Sequence, residues 1–410
     1  PMSARRQRQM CIRDRFYLIL FAGSLFAEKY YPNEVWETRE AEEVNLSQGA
    51  VNKLFQMSFE DQATMSAVLI KDGYIVKEQY ANGFEKDSFG TSWSTAKSFY
   101  AAIIGISLDK GESKSLDDHV AHYVDSFNDQ SKKDITIRQI LNMTSGLEFP
   151  SHEHEMMFFE EDHLKYALDV GVESTAGEKF QYNNVNSMLM GEILKSATGK
   201  TAKELIDERI FTKIGIQNYT AWEDSAGNTL TYCCLDMSAR DYSKFGLLFS
   251  RDGNWDGEQV ISKDYVDQSL QLYWGSTPSM GWVNSDTRGY SLQWWVSKYD
   301  DEAKIYNTSG KFGQFVFIDK ERDIIFTRIT KYYPSGGDVQ KFGPLRYLKF
   351  LGSVNAALGV SRFLYDIGLI SFDDGSVQTP YTLANGESKE FYENYVDIVE
   401  VMASLENVEK

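Results

Sequence analysis

The stretch Thr91–Gly105, TSWSTAKSFYAAIIG, decides the fold. From Ser94 onward, Phe99, Ile103, Ile104 and Ile106 fall at helical spacing until Lys110-Gly111 supplies a stop. Upstream the period is two. Alternation over Met65–Ile70 pauses at Lys71-Asp72-Gly73 and resumes over Tyr74–Tyr80, and Asp-Gly between two apolar runs predicts a β-hairpin. The local order is a strand pair, a loop, and a helix that opens on a serine.

Downstream, Leu116 to Phe211 is dominated by helical patterns over Ile135–Met143, Val185–Ala197 and Ala202–Phe211, with turns at Ser145-Gly146 and Gly199. A further helix over Ser238–Phe249 stops before Arg251-Asp252-Gly253. Strand patterns then return at Tyr290–Ser297, Lys304–Asn307, Gln314–Ile318 and Ile324–Ile329, the last two joined through Asp319–Asp323. Strands at both ends with helices between predict an α+β fold: one antiparallel sheet flanked by helices, plus an all-helical subdomain. The expected organisation is a leader (1–29), an N-terminal extension (30–63), a mixed α/β catalytic domain from 64–115 and 212–370, a helical subdomain (116–211) and a peripheral C-terminal appendage (371–410).

At 410 residues with 42% hydrophobic and 14% aromatic content, the chain has the material for a substantial core, which excludes a disordered regulator. With 42 basic against 60 acidic groups, the net charge of −18 repels phosphate backbones, so nucleic acid is not an expected partner. Cys11, Cys233 and Cys234 cannot make a disulfide framework; the adjacent pair would bridge only through a strained ring, and both are expected to serve as small apolar residues within Leu230–Leu235. Arg5–Arg15 (RRQRQMCIRDR) resembles a translated sequencing adaptor and is set aside. Phe16–Ala27 (FYLILFAGSLFA) is a 12-residue apolar run, of the length of a signal-peptide core or the surviving end of an anchor. Either reading predicts export, to a periplasm or a membrane surface in a bacterium, and this segment is the one expected link to a membrane.

No G-x-S-x-G elbow occurs, and the five histidines, His119, His122, His152, His154 and His163, all lie in the helical middle, which disfavours a Ser-His-Asp hydrolase. The cluster His152-Glu153-His154-Glu155 with Glu160, Glu161, Asp162 and His163 lacks the spacing of H-E-x-x-H and reads as a solvated acidic loop, so no metal is expected. A serine is activated instead by lysine. Ser94 and Lys97 stand at i and i+3 on one helix face, and a helix N-terminus together with burial would favour a neutral amine able to take the hydroxyl proton. Ser107-Leu108-Asp109-Lys110 repeats the S-x-x-K pattern but closes the same helix, where a lysine complements the dipole. Tyr182-Asn183-Asn184 precedes a helix and supplies a phenol for proton transfer; Y-x-N recurs at Tyr31, Tyr80 and Tyr392, so position rather than pattern selects Tyr182. Thr308-Ser309-Gly310 ends a strand where backbone N–H groups near Lys311 could join that of Ser94 around an oxyanion, while the copy at Thr144-Ser145-Gly146 reads as a helix stop.

Taken in order, these motifs resemble serine hydrolases related to class C β-lactamases and penicillin-binding proteins, and among them the 6-aminohexanoate-dimer hydrolase and carboxylesterase-like branch. The resemblance spans residues 64 to 331 and is carried by Thr91–Gly105, Ile135–Leu147 (ITIRQILNMTSGL), Tyr182–Gly191 (YNNVNSMLMG), Ser238–Gly246 (SARDYSKFG) and Ser309–Phe317 (SGKFGQFVF). It implies a β-lactamase/transpeptidase-like fold and an acyl-enzyme mechanism without metal or organic cofactor. Ser94 would attack, Lys97 and Tyr182 would shuttle protons, and Ser309, Gly310, Lys311 and Asn184 would line the oxyanion and substrate site. Many such β-lactamases carry Lys where this chain has Thr308, with Lys311 beyond the glycine. Small esters or amides, oligomeric ones included, are therefore expected ahead of D,D-peptides or β-lactams, with Met156–Phe159 and Trp274–Trp295 as aromatic pocket linings. A silent binding or sensor module on the same scaffold would be expected to lose a proton-transfer residue, and Ser94, Lys97 and Tyr182 are all present.

Overall fold

The computed structural model describes residues 29–32, 35–148, 156–271, 288–298, 304–333, 343–370, 379–380 and 389–406. The strands that concern the site are β1 (Thr64–Lys71), β2 (Tyr74–Tyr80), β3 (Gly90–Thr91), β4 (Thr220–Ala221), β5 (Leu235–Met237), β6 (Arg288–Ser291), β7 (Trp294–Lys298), β8 (Lys304–Gly310), β9 (Gln314–Asp319) and β10 (Ile324–Thr330). The helices include α1 (Gln48–Glu60), α2 (Ala96–Asp109), α3 (Ile137–Leu141), α4 (His163–Asp169), α5 (Asn184–Thr198), α6 (Ala202–Ile206), α7 (Ala239–Ser250) and α8 (Lys389–Ala403). The run 16–27 and the stretches 149–155 and 272–287 lie outside the described residues, and no helix among the described residues is long and apolar enough to cross a membrane.

Asp72 and Gly73 take positive φ of 55° and 89°, the twist a two-residue hairpin needs, and turn β1 back onto β2. The other edge of β1 meets a C-terminal strand: Thr64 pairs with Thr330 and Lys71 with Ile324. The sheet runs β2-β1-β10-β9-β8-β7-β6, every neighbour antiparallel. It is the α+β architecture expected, with N- and C-terminal segments sharing one sheet.

One difference concerns Tyr290–Ser297, which is two strands rather than one. Leu292 and Gln293 both take positive φ, 41° and 70°, and fold β6 against β7. Neither residue is a usual turn former; buried polar contacts hold the turn instead. The Gln293 amide donates to the Leu141 carbonyl at 2.7 Å and its Oε1 accepts from Ser187 Oγ at 2.9 Å, while its own carbonyl accepts from Ser98 Oγ on α2 at 2.7 Å. The helix expected over Ala202–Phe211 is α6 followed by a π-helical turn, Asp207–Phe211.

The sheet is covered on both faces, and this explains why β10 is buried at every position rather than alternating. On one face α7 sets Phe245 and Phe249 against Trp294, and α2 stacks Phe99 on Phe245 with centroids 3.6 Å apart. The apolar cluster there continues through α5 and α6, so the helical middle shares the core of the sheet. On the other face lie α1 and α8. Ile398 and Met402 are fully buried among Leu54, Phe55, Phe317 and Phe326, and the Tyr395 hydroxyl accepts from the Asn307 amide of β8 at 2.8 Å. The segment expected as a peripheral appendage therefore contributes a core helix. Its hydrophobic residues recur at Tyr395, Ile398, Met402 and Leu405, a helical stripe long enough to seal the sheet.

Replacing Ile398 by Ala should lower stability by about 2–4 kcal/mol, the usual range for opening a buried cavity, in chemical denaturation. A change below about 0.5 kcal/mol, as for exposed positions, would mean that α8 is peripheral.

Candidate active site

Ser94 sits in a 3-10 turn, Trp93–Thr95, that runs directly into α2. Trp93 takes φ 47°, a left-handed conformation that costs a bulky residue roughly 1–3 kcal/mol. Its ring is held between Phe158 and Phe312, at centroid distances of 5.9 and 5.3 Å. From below, β3 pairs with β5, and Ser92 exchanges bonds with Leu235: its N–H donates to the Leu235 carbonyl at 2.7 Å and its Oγ accepts from the Leu235 N–H at 2.8 Å. From the sheet side, the end of β8 arrives at Gly310. A Cβ there would stand 2.1 Å from the Ser92 carbonyl oxygen, so only glycine lets the strand end close on the serine turn. Thr95 Oγ1 donates to the Gln314 carbonyl at 3.3 Å, and Thr308 Oγ1 lies 3.3 Å from Thr95 Oγ1.

Lys97, one turn beyond Ser94 and at the start of α2, is fully buried and its Nζ reaches Ser94 Oγ at 2.8 Å. The same nitrogen donates to the Tyr232 carbonyl at 2.6 Å and lies 5.2 Å from the centroid of the Tyr182 ring. Burial strips water from the amine and pushes its pKa well below the ordinary lysine value. With one hydrogen committed to a carbonyl, the neutral amine can turn its lone pair to the serine hydroxyl. Tyr182 is fixed by stacking on Trp295 at 5.7 Å and by an edge contact with Tyr290 at 6.1 Å.

Tyr232 was not singled out by sequence motifs, yet it carries the lysine. Its hydroxyl donates to His163 Nδ1 at 3.0 Å, which follows because His163 Nε2, 3.1 Å from the Glu160 carbonyl, must carry the ring proton. Burial pushes the His163 pKa down to about 4, so the imidazole stays neutral as an acceptor. His163 is thus a buried prop, while Glu160, Glu161 and Asp162 from the same acidic stretch line an open cleft with Glu148 and Asp169. Among the described residues no three His, Cys, Asp or Glu side chains are grouped as metal ligands, and His152–Glu155 lie outside them.

The structure brings Ser94, Lys97 and Tyr182 together and sets Gly310 against the serine turn. Ser309 and Lys311 flank it, both half-buried, with Lys311 Nζ 5.6 Å from the Phe312 ring centroid. Asn184 opens α5 behind Tyr182, 7% exposed, and its Oδ1 is buried with no hydrogen-bond partner among the described residues. Cys233 and Cys234 depart from the expectation of two free apolar thiols: they form a disulfide with each other, buried directly after Tyr232.

Residues 52–345 match the family described as Beta-lactamase. The chain belongs to the beta-lactamase family. Among curated proteins it is 20% identical over 299 residues to the 6-aminohexanoate-dimer hydrolase of Paenarthrobacter ureafaciens, covering 68% of this chain and 75% of that one. Among solved structures it is similar to a Bacillus anthracis protein provisionally described as a 6-aminohexanoate-dimer hydrolase (TM-score 0.62, 18% identity, 82% of this chain and 90% of that chain). It is also similar to a D-stereospecific amidohydrolase from Streptomyces (TM-score 0.56, 14% identity, 69% and 94%). The resemblance read from the motifs and the β-lactamase/transpeptidase-like fold both stand, and the protein is a beta-lactamase-family hydrolase.

One acidic group in this hydrolase stands out beneath the serine turn. Asp236 on β5 is fully buried and accepts from Thr91 Oγ1 at 2.7 Å and from Trp222 Nε1. Burial raises its pKa to about 7 against these two bonds. In the unfolded chain the group ionises near pH 4, so the folded state holds the extra proton between those values. Its contribution to stability is present below about pH 4 and is lost as pH rises through about 7. Asp236→Asn keeps a neutral acceptor for Trp222 and lets the Thr91 hydroxyl turn to accept. Denaturation at about pH 4.5 and 7.5 should show the variant gaining on the native protein by at least ~1 kcal/mol at the higher pH. Parallel pH dependences of the two would contradict this.

Proposed function

We propose that this protein hydrolyses small esters or amides through an acyl-enzyme on Ser94. The observation that carries the reading is the 2.8 Å contact between Ser94 Oγ and a buried Lys97 whose pKa is depressed. Lys97 Nζ takes the hydroxyl proton as Oγ attacks the carbonyl carbon, giving a tetrahedral oxyanion. Backbone N–H groups of Ser94 and Lys311, drawn together by the fit of Gly310 on Ser92, are assigned to that oxyanion. Collapse breaks the bond to the leaving group, which receives the proton held by Lys97 or passed through Tyr182. Water then attacks the acyl-enzyme, its proton returns through the same groups, and Ser94 is regenerated with release of the acid.

Amide cleavage is supported by the names of the relatives, a hydrolase of 6-aminohexanoate dimer and an amidohydrolase. Penicillin-like substrates are less well supported, because Thr308 is fully buried with its hydroxyl against Thr95 and offers no cation to a substrate carboxylate. Ser309, Gly310, Lys311 and Asn184 are assigned to the walls that orient substrate. Export is proposed as the setting, from the apolar run Phe16–Ala27.

Hydrolysis of a short-chain nitrophenyl ester should fall by at least about a thousandfold in Ser94→Ala, and by roughly a hundred- to ten-thousandfold in Lys97→Arg, the range for losing a general base. Ser94→Ala hydrolysing the ester at the native rate would overturn the assignment. A chromogenic cephalosporin turned over faster than the ester would favour the β-lactamase reading instead.

A further inference from the structure

Between the carbonyl that holds Lys97 and the backbone that holds Ser92 there are only two residues, and they are joined to each other. Tyr232 offers its carbonyl to Lys97 at 2.6 Å. Leu235 exchanges two bonds with Ser92, and its carbonyl also accepts from the Tyr242 hydroxyl at 2.6 Å. Cys233 and Cys234 link these anchors and are bridged side chain to side chain.

We infer that the Cys233–Cys234 disulfide is a positioning device for the nucleophile pair, fixing the corner that aims the Tyr232 carbonyl at Lys97 while the next residue grips the serine turn. Cys234 takes φ 101°, a conformation L-residues avoid and one that costs roughly 1–3 kcal/mol when imposed. An unlinked chain at this corner would relax towards negative φ and rotate the neighbouring peptides. The ring between adjacent cysteines removes that freedom. The corner is also tied at its backbone: the Cys233 N–H donates to the Leu230 carbonyl at 3.2 Å, and the Cys234 carbonyl accepts from the Trp222 N–H at 3.1 Å. Two cysteines serving only as packing would not need to be joined, since each is about 1% exposed and fills its space unaided. Disulfides persist outside the reducing cytosol, which agrees with the proposed export.

The inference rests on Ser94 and Lys97 being the reacting pair, so its test begins with the native protein and a fluorophosphonate that labels activated serines. A native protein that resists labelling on Ser94 would overturn the assigned nucleophile and, with it, this role. Iodoacetamide applied to the denatured native protein without reductant should leave Cys233 and Cys234 unmodified; alkylation of both would overturn the bridge. Cys233→Ala/Cys234→Ala should then label on Ser94 and hydrolyse the nitrophenyl ester roughly ten- to a hundredfold more slowly, the penalty for a misplacement near 1 Å, with kcat reduced and KM unchanged. Cys233→Ala/Cys234→Gly, in which glycine reaches the corner without strain and secures folding but is not held there, should still lose kcat, by a smaller factor than the alanine pair. Native kcat in the glycine variant, with only the thermal midpoint altered, would show the bridge to be structural and overturn the proposal.

Discussion

The site depends on a lysine amine kept out of water. Lys97 is fully buried, and an isolated ammonium in that position would be expensive to desolvate; the fold meets this by favouring the neutral form. It provides one carbonyl, that of Tyr232, and one hydroxyl, that of Ser94, and packs the Tyr182 and Tyr232 rings around the nitrogen. A surface lysine three residues after a serine would stay charged and could not take a proton. The catalytic reading therefore follows from burial as much as from the spacing of the two residues.

Much of the architecture serves to hold that arrangement. The sheet supplies Gly310 against the Ser92 carbonyl, β5 supplies Leu235 and Asp236 beneath the turn, and α4 supplies His163 to fix the Tyr232 ring. The turn at Leu292 and Gln293 bonds Ser98 and Ser187, one on each of the helices that carry Lys97 and Asn184. Helices on both sheet faces bury β9 and β10 throughout and most of β8, Gly310 included.

The parts legible in sequence were those written in local chemistry. Asp72-Gly73 announces its hairpin, the helix after Ser94 shows its period, and Ser94, Lys97 and Tyr182 are recognisable once their order along the chain is considered. Tyr232 was missed because it acts through its backbone carbonyl, which any residue possesses. The turn at Leu292 and Gln293 was missed because long-range bonds, and not glycine or asparagine, hold its positive φ. The stripe of α8 is present in the sequence, but the bare sheet face it covers becomes visible only when β1, β9 and β10 are assembled. Adjacency made the Cys233–Cys234 bridge look unfavourable, and the left-handed corner that accommodates it cannot be read from composition.

The central claim is that Lys97 is neutral at working pH and takes the Ser94 proton. The most direct measurement is the rate at which a fluorophosphonate labels Ser94 as a function of pH. The account predicts a rise whose midpoint lies well below the ordinary lysine value of about 10.4, and its disappearance in Lys97→Arg. A midpoint at the ordinary lysine value, or the same profile in Lys97→Arg, would contradict it.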